Sequence, residues 1–377
     1  MIIKILQNKL KEGLNIVERI TTKSLSLPIL NNILIKTEKS FLNLSSTNLE
    51  IGIQWWTLAK VEKEGAIVVP AKTISDFISF LNDGPIKLKA EDYYLVIESE
   101  KYKTKIKGLS SDEFPIIPQV LSQESLNLNT RLFCEGLKQI IQIPAPSSAR
   151  PEISGIFLSF QKNSVKMAAT DSFRLGEKKI FLKEALPIHK EYSCILPQRT
   201  AKEIINVFGE REGELKVLLS PNQILFESQM AETTHPEIQM VSKLIEGEYP
   251  DYQTILPQKF ATEIILDKNE FLNQLRAASI FASKINEIKL KTESKKGAIE
   301  IASQNPDLGE YHSTIFAQIR GKEIEISFNF RFLIDGLLNI PSSEINFGLN
   351  SEEEAAVLRG EGDQSYLYLV MPIKPST

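Results

Sequence analysis

The chain has 377 residues, 42% of them apolar and 24% charged, with a net charge of −4. These values exclude a disordered protein and exceed what one hydrophobic core fills, so two or three domains are expected. Two cysteines, Cys134 and Cys194, exclude a disulfide framework or a four-cysteine metal site, and the absence of a signal-peptide core or membrane-length apolar run predicts a soluble cytoplasmic protein.

In chain order, "NKLKEGLNIVERI" from Asn8 brings Leu10, Leu14 and Val17 together at helical spacing. Two alternating runs follow, "NILIKT" from Asn32 and "LNLSSTN" from Leu42; their period of two predicts a hairpin with one buried face. A second helix is predicted over "VPAKTISDFISFL" from Val69, then a strand pair over "IKLKAEDYYLVIES" from Ile86. The same order returns with "TRLFCEGLKQII" from Thr130, "GIFLSF" from Gly155, "VKMAATD" from Val165, "LPQRTAKEIINVF" from Leu196 and "LKVLLSPNQILFES" from Leu215. It returns again with "KNEFLNQLRAASIFA" from Lys268, "EIKLKT" from Glu287, "IEIASQN" from Ile299 and "FNFRFLIDGLLNI" from Phe328.

The second hairpin strands share a pattern: apolar, polar, apolar, two small residues, then a hydrogen-bonding pair, with starts 123 and 134 residues apart. Pro70 and Pro197 stand near the start of two of the second helices, where a missing N–H costs nothing, and Lys72, Arg199 and Arg331 each take the fourth position of theirs. The reading is an α+β fold of three repeats, with linkers near 115–127 and 250–260 and domains at 1–122, 123–257 and 258–377.

The six helix segments together carry +6, leaving −10 for the remainder. Basic helices beside acidic sheets predict a surface turned toward a polyanion. No aromatic residue interleaves the helical bases, which favours phosphate contacts that carry no sequence information.

Chemistry finds little footing. There is no phosphate-binding Gly-x4-Gly-Lys-Ser/Thr loop, no Gly-x-Ser-x-Gly elbow, and no metal-like spacing among His189, His235 and His312. Glu352-Glu353-Glu354 reads as a solvated loop, and Asp171 with Arg174 as a local ion pair. No cofactor or metal is expected. The competing reading is a hydrolase or transferase using carboxylates such as Asp171 and Asp251.

Several stretches resemble the bacterial DNA polymerase III beta subunit, the sliding-clamp family. They are "LPILNNILI" (Leu27 to Ile35), "TNLEIGI", "GAIVVPAK" and "DEFPIIP" in the first repeat, and "RPEISGIFLSF" and "ATDSFRL" in the second. "SKLIEGEYPDYQTILP" joins second to third, and "FNFRFLIDGLL" with "YLYLVMPIK" lies in the third. The resemblance implies a non-catalytic processivity factor: three clamp domains per chain, helices lining a ring, antiparallel sheets outside, closed as a head-to-tail homodimer around double-stranded DNA.

It implies phosphate contacts from Lys23, Lys72, Arg199, Lys202 and Arg276, and a seam near Ile106, Ile280 and Phe281. It also implies a groove that captures short hydrophobic peptides of the polymerase alpha subunit, the clamp loader and repair or translesion polymerases. By residue-wise match its wall is Ile153, Thr170, Ser172, Phe173, Arg174, Leu175, Pro250, Ile255, Asn329, Phe332, Leu369, Met371, Pro372 and Ile373, with Arg174 and Asn329 fixing the peptide's polar groups. Leu175 and Leu369 read equally as plain core. Two departures touch the groove: Phe173 stands where many members carry histidine, and Lys374-Pro375-Ser376-Thr377 extends past the Met-Pro pair.

Overall fold

The computed structural model describes residues 1–22, 24–120, 125–147, 149–188 and 190–374. Lys23, His189 and residues 375–377 lie outside the described residues, as does part of the first expected linker.

The first repeat runs β1 (Ile2–Leu6), α1 (Gln7–Val17), β2 (Asn32–Glu38), β3 (Phe41–Thr47), β4 (Ile51–Leu58), β5 (Lys60–Lys63), β6 (Gly65–Pro70), α2 (Ala71–Phe80), β7 (Pro85–Glu91), β8 (Tyr94–Glu98) and β9 (Lys103–Lys107). The second runs β10 (Ser125–Asn129), α3 (Thr130–Ile140), β11 (Gly155–Gln161), β12 (Ser164–Thr170), β13 (Arg174–Phe181), β14 (Tyr192–Pro197), α4 (Gln198–Phe208), β15 (Glu214–Leu219), β16 (Gln223–Gln229) and β17 (Pro236–Lys243). The third runs β18 (Thr262–Asp267), α5 (Lys268–Ser279), β19 (Glu287–Glu293), β20 (Ala298–Asn305), β21 (Gly309–Phe316), β22 (Gln318–Gly321), β23 (Glu325–Asn329), α6 (Phe330–Leu338), β24 (Glu344–Leu349), β25 (Ala356–Gly360) and β26 (Tyr366–Val370).

The three expected hairpins form, β2 with β3, β11 with β12 and β19 with β20. The second helices begin two residues later than their sequence pattern suggested. β6, β14 and β23 run straight into α2, α4 and α6 with no intervening loop, so the last apolar residue of each strand continues the helix's own pattern. Pro70 and Pro197 are therefore strand ends rather than first helical residues. Both belong to end strands of their sheets, where a missing ladder N–H is tolerated.

Two compact units divide the chain: 1–134 with 199–244, and 135–198 with 245–377. The first unit holds a five-stranded sheet, β5-β1-β7-β8-β9, and an eight-stranded sheet, β10-β15-β16-β17-β4-β3-β2-β6. The second holds a nine-stranded sheet, β14-β11-β12-β13-β26-β25-β24-β18-β22, and a four-stranded sheet, β21-β20-β19-β23. The second repeat is thus shared. β17 pairs with β4 in one unit, while β13 pairs with β26 in the other.

In the first unit Leu10, Leu14 and Val17 of α1 and Ile74 and Ile78 of α2 are buried, as the spacing required. Gly13 sits on the Trp55 ring so closely that any Cβ there would collide with it. In the second unit α5 is capped by Asp267, whose carboxylate accepts from Glu270 N at 2.7 Å, and it buries Phe271 and Leu275. Phe271 and Phe328 both pack against Phe347, with ring centroids 6.2 and 5.8 Å apart. Among the described residues no helix is long and apolar enough to cross a membrane.

Candidate functional site

The turn between β12 and β13 is built by side chains bonding their own backbone. Thr170 Oγ1 donates to Arg174 O at 2.8 Å and accepts from Ser172 N at 3.2 Å. Asp171 Oδ1 accepts from both Phe173 N and Arg174 N at 3.0 Å, and Ser172 takes a positive φ of 76°. Short oxygen-bearing side chains favour such turns because they replace backbone partners locally.

The first unit repeats the turn bond for bond. Thr47 Oγ1 donates to Ile51 O at 3.0 Å, Asn48 Oδ1 accepts from Glu50 N and Ile51 N, and Leu49 has φ 72°. The third repeat departs: among the described residues Asn305 Oδ1 accepts from Asp307 N alone, at 3.0 Å, and the strands rejoin at Asn305 opposite Gly309.

The next strand is strapped alike in both units, by Met371 N to Phe173 O at 2.8 Å and by Lys243 N to Glu50 O at 2.9 Å. The side chains differ. Phe173, Leu175 and Met371 correspond to Glu50, Gly52 and Lys243, so one backbone frame is apolar in the second unit and polar in the first.

Beneath the apolar version lies a bed of Ala168, Leu175, Tyr252, Val357, Leu367 and Leu369, all buried, edged by Tyr249, Leu256 and Met371. Phe173, two residues before Leu175, and Ile255, three residues after Tyr252, are 62% and 56% exposed. Phe332, Pro250, Met371, Pro372 and Ile373 are half-buried, as is Thr170, while Ser172 is exposed. Phe173 stacks with Phe332 at a centroid distance of 6.4 Å.

Three expected wall positions are packed instead. Leu175 on β13 and Leu369 on β26 are 1% exposed, and Ile153, in the short helix Pro151–Ser154, is 6% exposed.

Arg174 is a larger correction. Its guanidinium is buried and committed: Nε donates to Asp171 Oδ2 at 3.0 Å, Nη2 to Gln142 O at 3.2 Å, and Nη1 to Asp335 Oδ2. Burial opposes its charge, but Tyr368, Asp335 and Asp171 outweigh that and hold its pKa above the ordinary arginine value. It therefore braces the turn and α6 from within. Asn329 is also partly committed, since its Oδ1 caps α6 by accepting from Arg331 N at 3.0 Å.

The carboxylates of the enzymatic alternative are structural. Both oxygens of Asp171 are taken up by the turn and by Arg174, and Asp251 caps the short helix Tyr252–Ile255. That short helix makes 250–260 more than a linker: the buried Tyr252 donates to Glu177 Oε2 at 2.6 Å, and desolvation followed by this bond raises its phenol pKa. Sequence reasoning missed Asp335, Tyr252 and Tyr368, none of which carries a local signal. Among the described residues no cluster of His, Cys, Asp and Glu could hold a metal.

Of the expected phosphate contacts, Lys72, Arg199, Lys202 and Arg276 are exposed. Lys72 pairs with Asp76 at 3.1 Å, whereas Arg199, Lys202 and Arg276 form no ion pair among the described residues. At the expected seam, Ile280 is 64% exposed and Phe281 stacks on Tyr311 at 6.2 Å. Ile106 is 6% exposed, and its strand β9 is an end strand of the five-stranded sheet.

Residues 1–118, 127–251 and 253–374 match, in order, the N-terminal, central and C-terminal domains of the DNA polymerase III beta subunit. The chain is 29% identical over 372 residues to the beta sliding clamp of Synechococcus elongatus, with 98% of each covered. It is 25% identical over 380 residues to that of Bacillus subtilis, again with 98% of each covered. The crystal structure of the Bacillus subtilis DNA polymerase sliding clamp aligns with a TM-score of 0.93 at 25% identity, covering 100% of both chains.

Proposed function

Because this chain belongs to the DNA polymerase III beta subunit family, the bacterial sliding clamps, we propose that two copies close head to tail around duplex DNA and tether the replicative polymerase to it. A clamp is a processivity factor, not a catalyst: it holds DNA by topology, so its contacts must be weak enough to slide. Exposed Arg199, Lys202 and Arg276, without an ion pair among the described residues, suit that task together with Lys72 by attracting phosphates across a wet, screened gap without preferring one register. The three domains are taken as 1–122, 123–257 and 258–377, and the place of action as the cytoplasm.

The seam is assigned to β9 and β21, each an end strand of its own sheet with one unpaired backbone edge. Ile280 and Phe281 flank the second of these. A heterologous contact of this kind closes into a ring when the rotation per copy fits.

Partner proteins dock by short peptides on the rim of Phe173, Ile255, Phe332, Met371 and Ile373. The observation that carries this part is that exposed Phe173 stacks on Phe332 and is bonded through its carbonyl to Met371, which itself packs on the buried apolar cluster. A leucine or phenylalanine anchor buried there gains about 1.5–3 kcal/mol, and Met371 can reshape itself for different partners. Phe173 offers the incoming chain an aromatic face, and Arg174 contributes through the position of Phe332 rather than by contact.

The test of the whole reading is retention on DNA. The loaded protein should stay on a nicked circle and be lost when the circle is linearised; equal retention on both would sink the topological claim.

A further inference from the structure

The outer face of the five-stranded sheet is basic, against the expectation that the sheets carry the negative charge. Register places its side chains in rows across the strands. One row reads Lys60, Lys4, Lys87, Glu98, Lys103. The next reads Lys63, Ile2, Lys89, Val96, Lys105, and a third reads Glu91, Tyr94, Lys107.

The face thus presents eight lysines in a chain whose net charge is −4. Its acids are already engaged, Glu62 with Lys4 and Lys87, Glu91 with Lys89, and Glu98 with Lys103. Lys60, Lys105 and Lys107 form no ion pair among the described residues.

Folding does not call for this arrangement. Lysines on the end strands β5 and β9 could serve to discourage edge-to-edge pairing, but Lys4, Lys87 and Lys89 lie on the interior strands β1 and β7. Lys4 also stands directly opposite both Lys60 and Lys87; Glu62 bridges Lys4 and Lys87, while Lys60 opposite Lys4 keeps its like-charge contact without an ion pair of its own among the described residues. Val96, in the middle, is 3% exposed, which leaves the lysines, Tyr94 and the lysine-paired Glu91 and Glu98 to form the surface.

Aromatic rings accompany the charge. Tyr94 sits in the third row opposite Lys107 and is 43% exposed; Tyr93 and Tyr102, in the adjoining turns, are 61% and 50% exposed. We propose that the outer face of this sheet binds single-stranded DNA, its lysines contacting phosphates while Tyr94, with Tyr93 and Tyr102, stacks unpaired bases. Lysines at every second residue of β9 are spaced by about 6.6 Å at strand rise, a repeat suited to successive phosphates of an extended strand. Exposed aromatics beside the cations are what distinguish such a platform from a docking site for an acidic peptide, which needs charge alone. This goes beyond the clamp reading, because the phosphate contacts there serve duplex DNA and lie on α2, α4 and α5.

The experiment is fluorescence anisotropy of a labelled 20-nucleotide oligo-dT with the full-length protein at low salt, with a 20-residue poly-glutamate as the comparison probe. Combined Lys87→Glu, Lys89→Glu and Lys105→Glu should weaken oligo-dT at least tenfold. It should also flatten the log–log salt slope by about 2, from about 0.7 per lost phosphate contact on a single strand. Tyr94→Ala should weaken it about tenfold, while Arg199→Glu with Lys202→Glu should leave it unchanged and impair retention on nicked circles. Matching thermal melts would show that the variants fold. The proposal is overturned by no oligo-dT binding, by affinity indifferent to the sheet variants, or by poly-glutamate binding as tightly as oligo-dT and independently of Tyr94.

Discussion

Arg174 lies against the ring of Phe332, with its Cζ 4.7 Å from the ring centroid. Phe332 in turn stacks with the exposed Phe173, so a buried charge network and a surface rim share one aromatic ring. A cation held at an aromatic face contributes about 0.5–2 kcal/mol. Here it also fixes where the ring stands.

Replacing Arg174 with alanine should cost about 3 kcal/mol, since it strands the 10%-exposed Asp171 carboxylate and the Gln142 carbonyl without a donor. Asp335, 42% exposed, keeps access to water and lowers the figure from that of a wholly buried pair. Arg174→Lys should recover little, because a single ammonium cannot span Asp171, Asp335 and Gln142. Urea denaturation of the two variants checks both statements; a loss under 1 kcal/mol for Arg174→Ala would contradict the bracing role.

Phe173→Ala removes a side chain that is 62% exposed, so stability should change by less than about 0.5 kcal/mol. Affinity for a leucine- and phenylalanine-containing polymerase peptide should fall about tenfold or more. Calorimetric titration beside a thermal melt separates the two effects. An unchanged dissociation constant would remove Phe173 from the docking rim.

Truncation after Val370 removes Met371, Pro372 and Ile373 together with the backbone bonds Met371 N to Phe173 O and Ile373 N to Ser327 O, each 2.8 Å. Peptide binding should be abolished while sedimentation still reports a dimer. A dimer lost together with the peptide site would argue against separate surfaces.

Gly52 occupies the place in the first unit that Leu175 holds in the second, and a Cβ there would lie 2.7 Å from Ile117 Cγ2 and 3.1 Å from Val241 Cγ1. Gly52→Ala should destabilise by about 1–3 kcal/mol through overpacking, and Ile117→Ala in the same chain should restore part of that. A double-mutant cycle measures the coupling; strictly additive losses would show that the two residues do not compete for the space.

Much of this molecule is legible in the chain. Alternation in "NILIKT" and "GIFLSF", helical spacing around Leu10, Leu14 and Val17, and the recurring small-residue turn each depend on neighbours within a few positions. The turn at Thr170–Arg174 reappears at Thr47–Ile51 because threonine followed by asparagine or aspartate satisfies the backbone there without outside help. Even the missed strands were missed locally: β6 and β14 end on prolines that helices also favour.

Other features had no local trace. Arg174 reads as a peptide-facing base until Asp335, 161 residues away, is brought to its guanidinium. Tyr252 looks like part of a linker until Glu177 receives its hydroxyl, 75 residues away. The lysines of β1, β5, β7 and β9 appear scattered along the chain and become one surface only through strand register. Periodicity sets which side of an element a residue occupies, but packing chooses what meets that side. Whether a charge is a contact or a brace is decided by that second step.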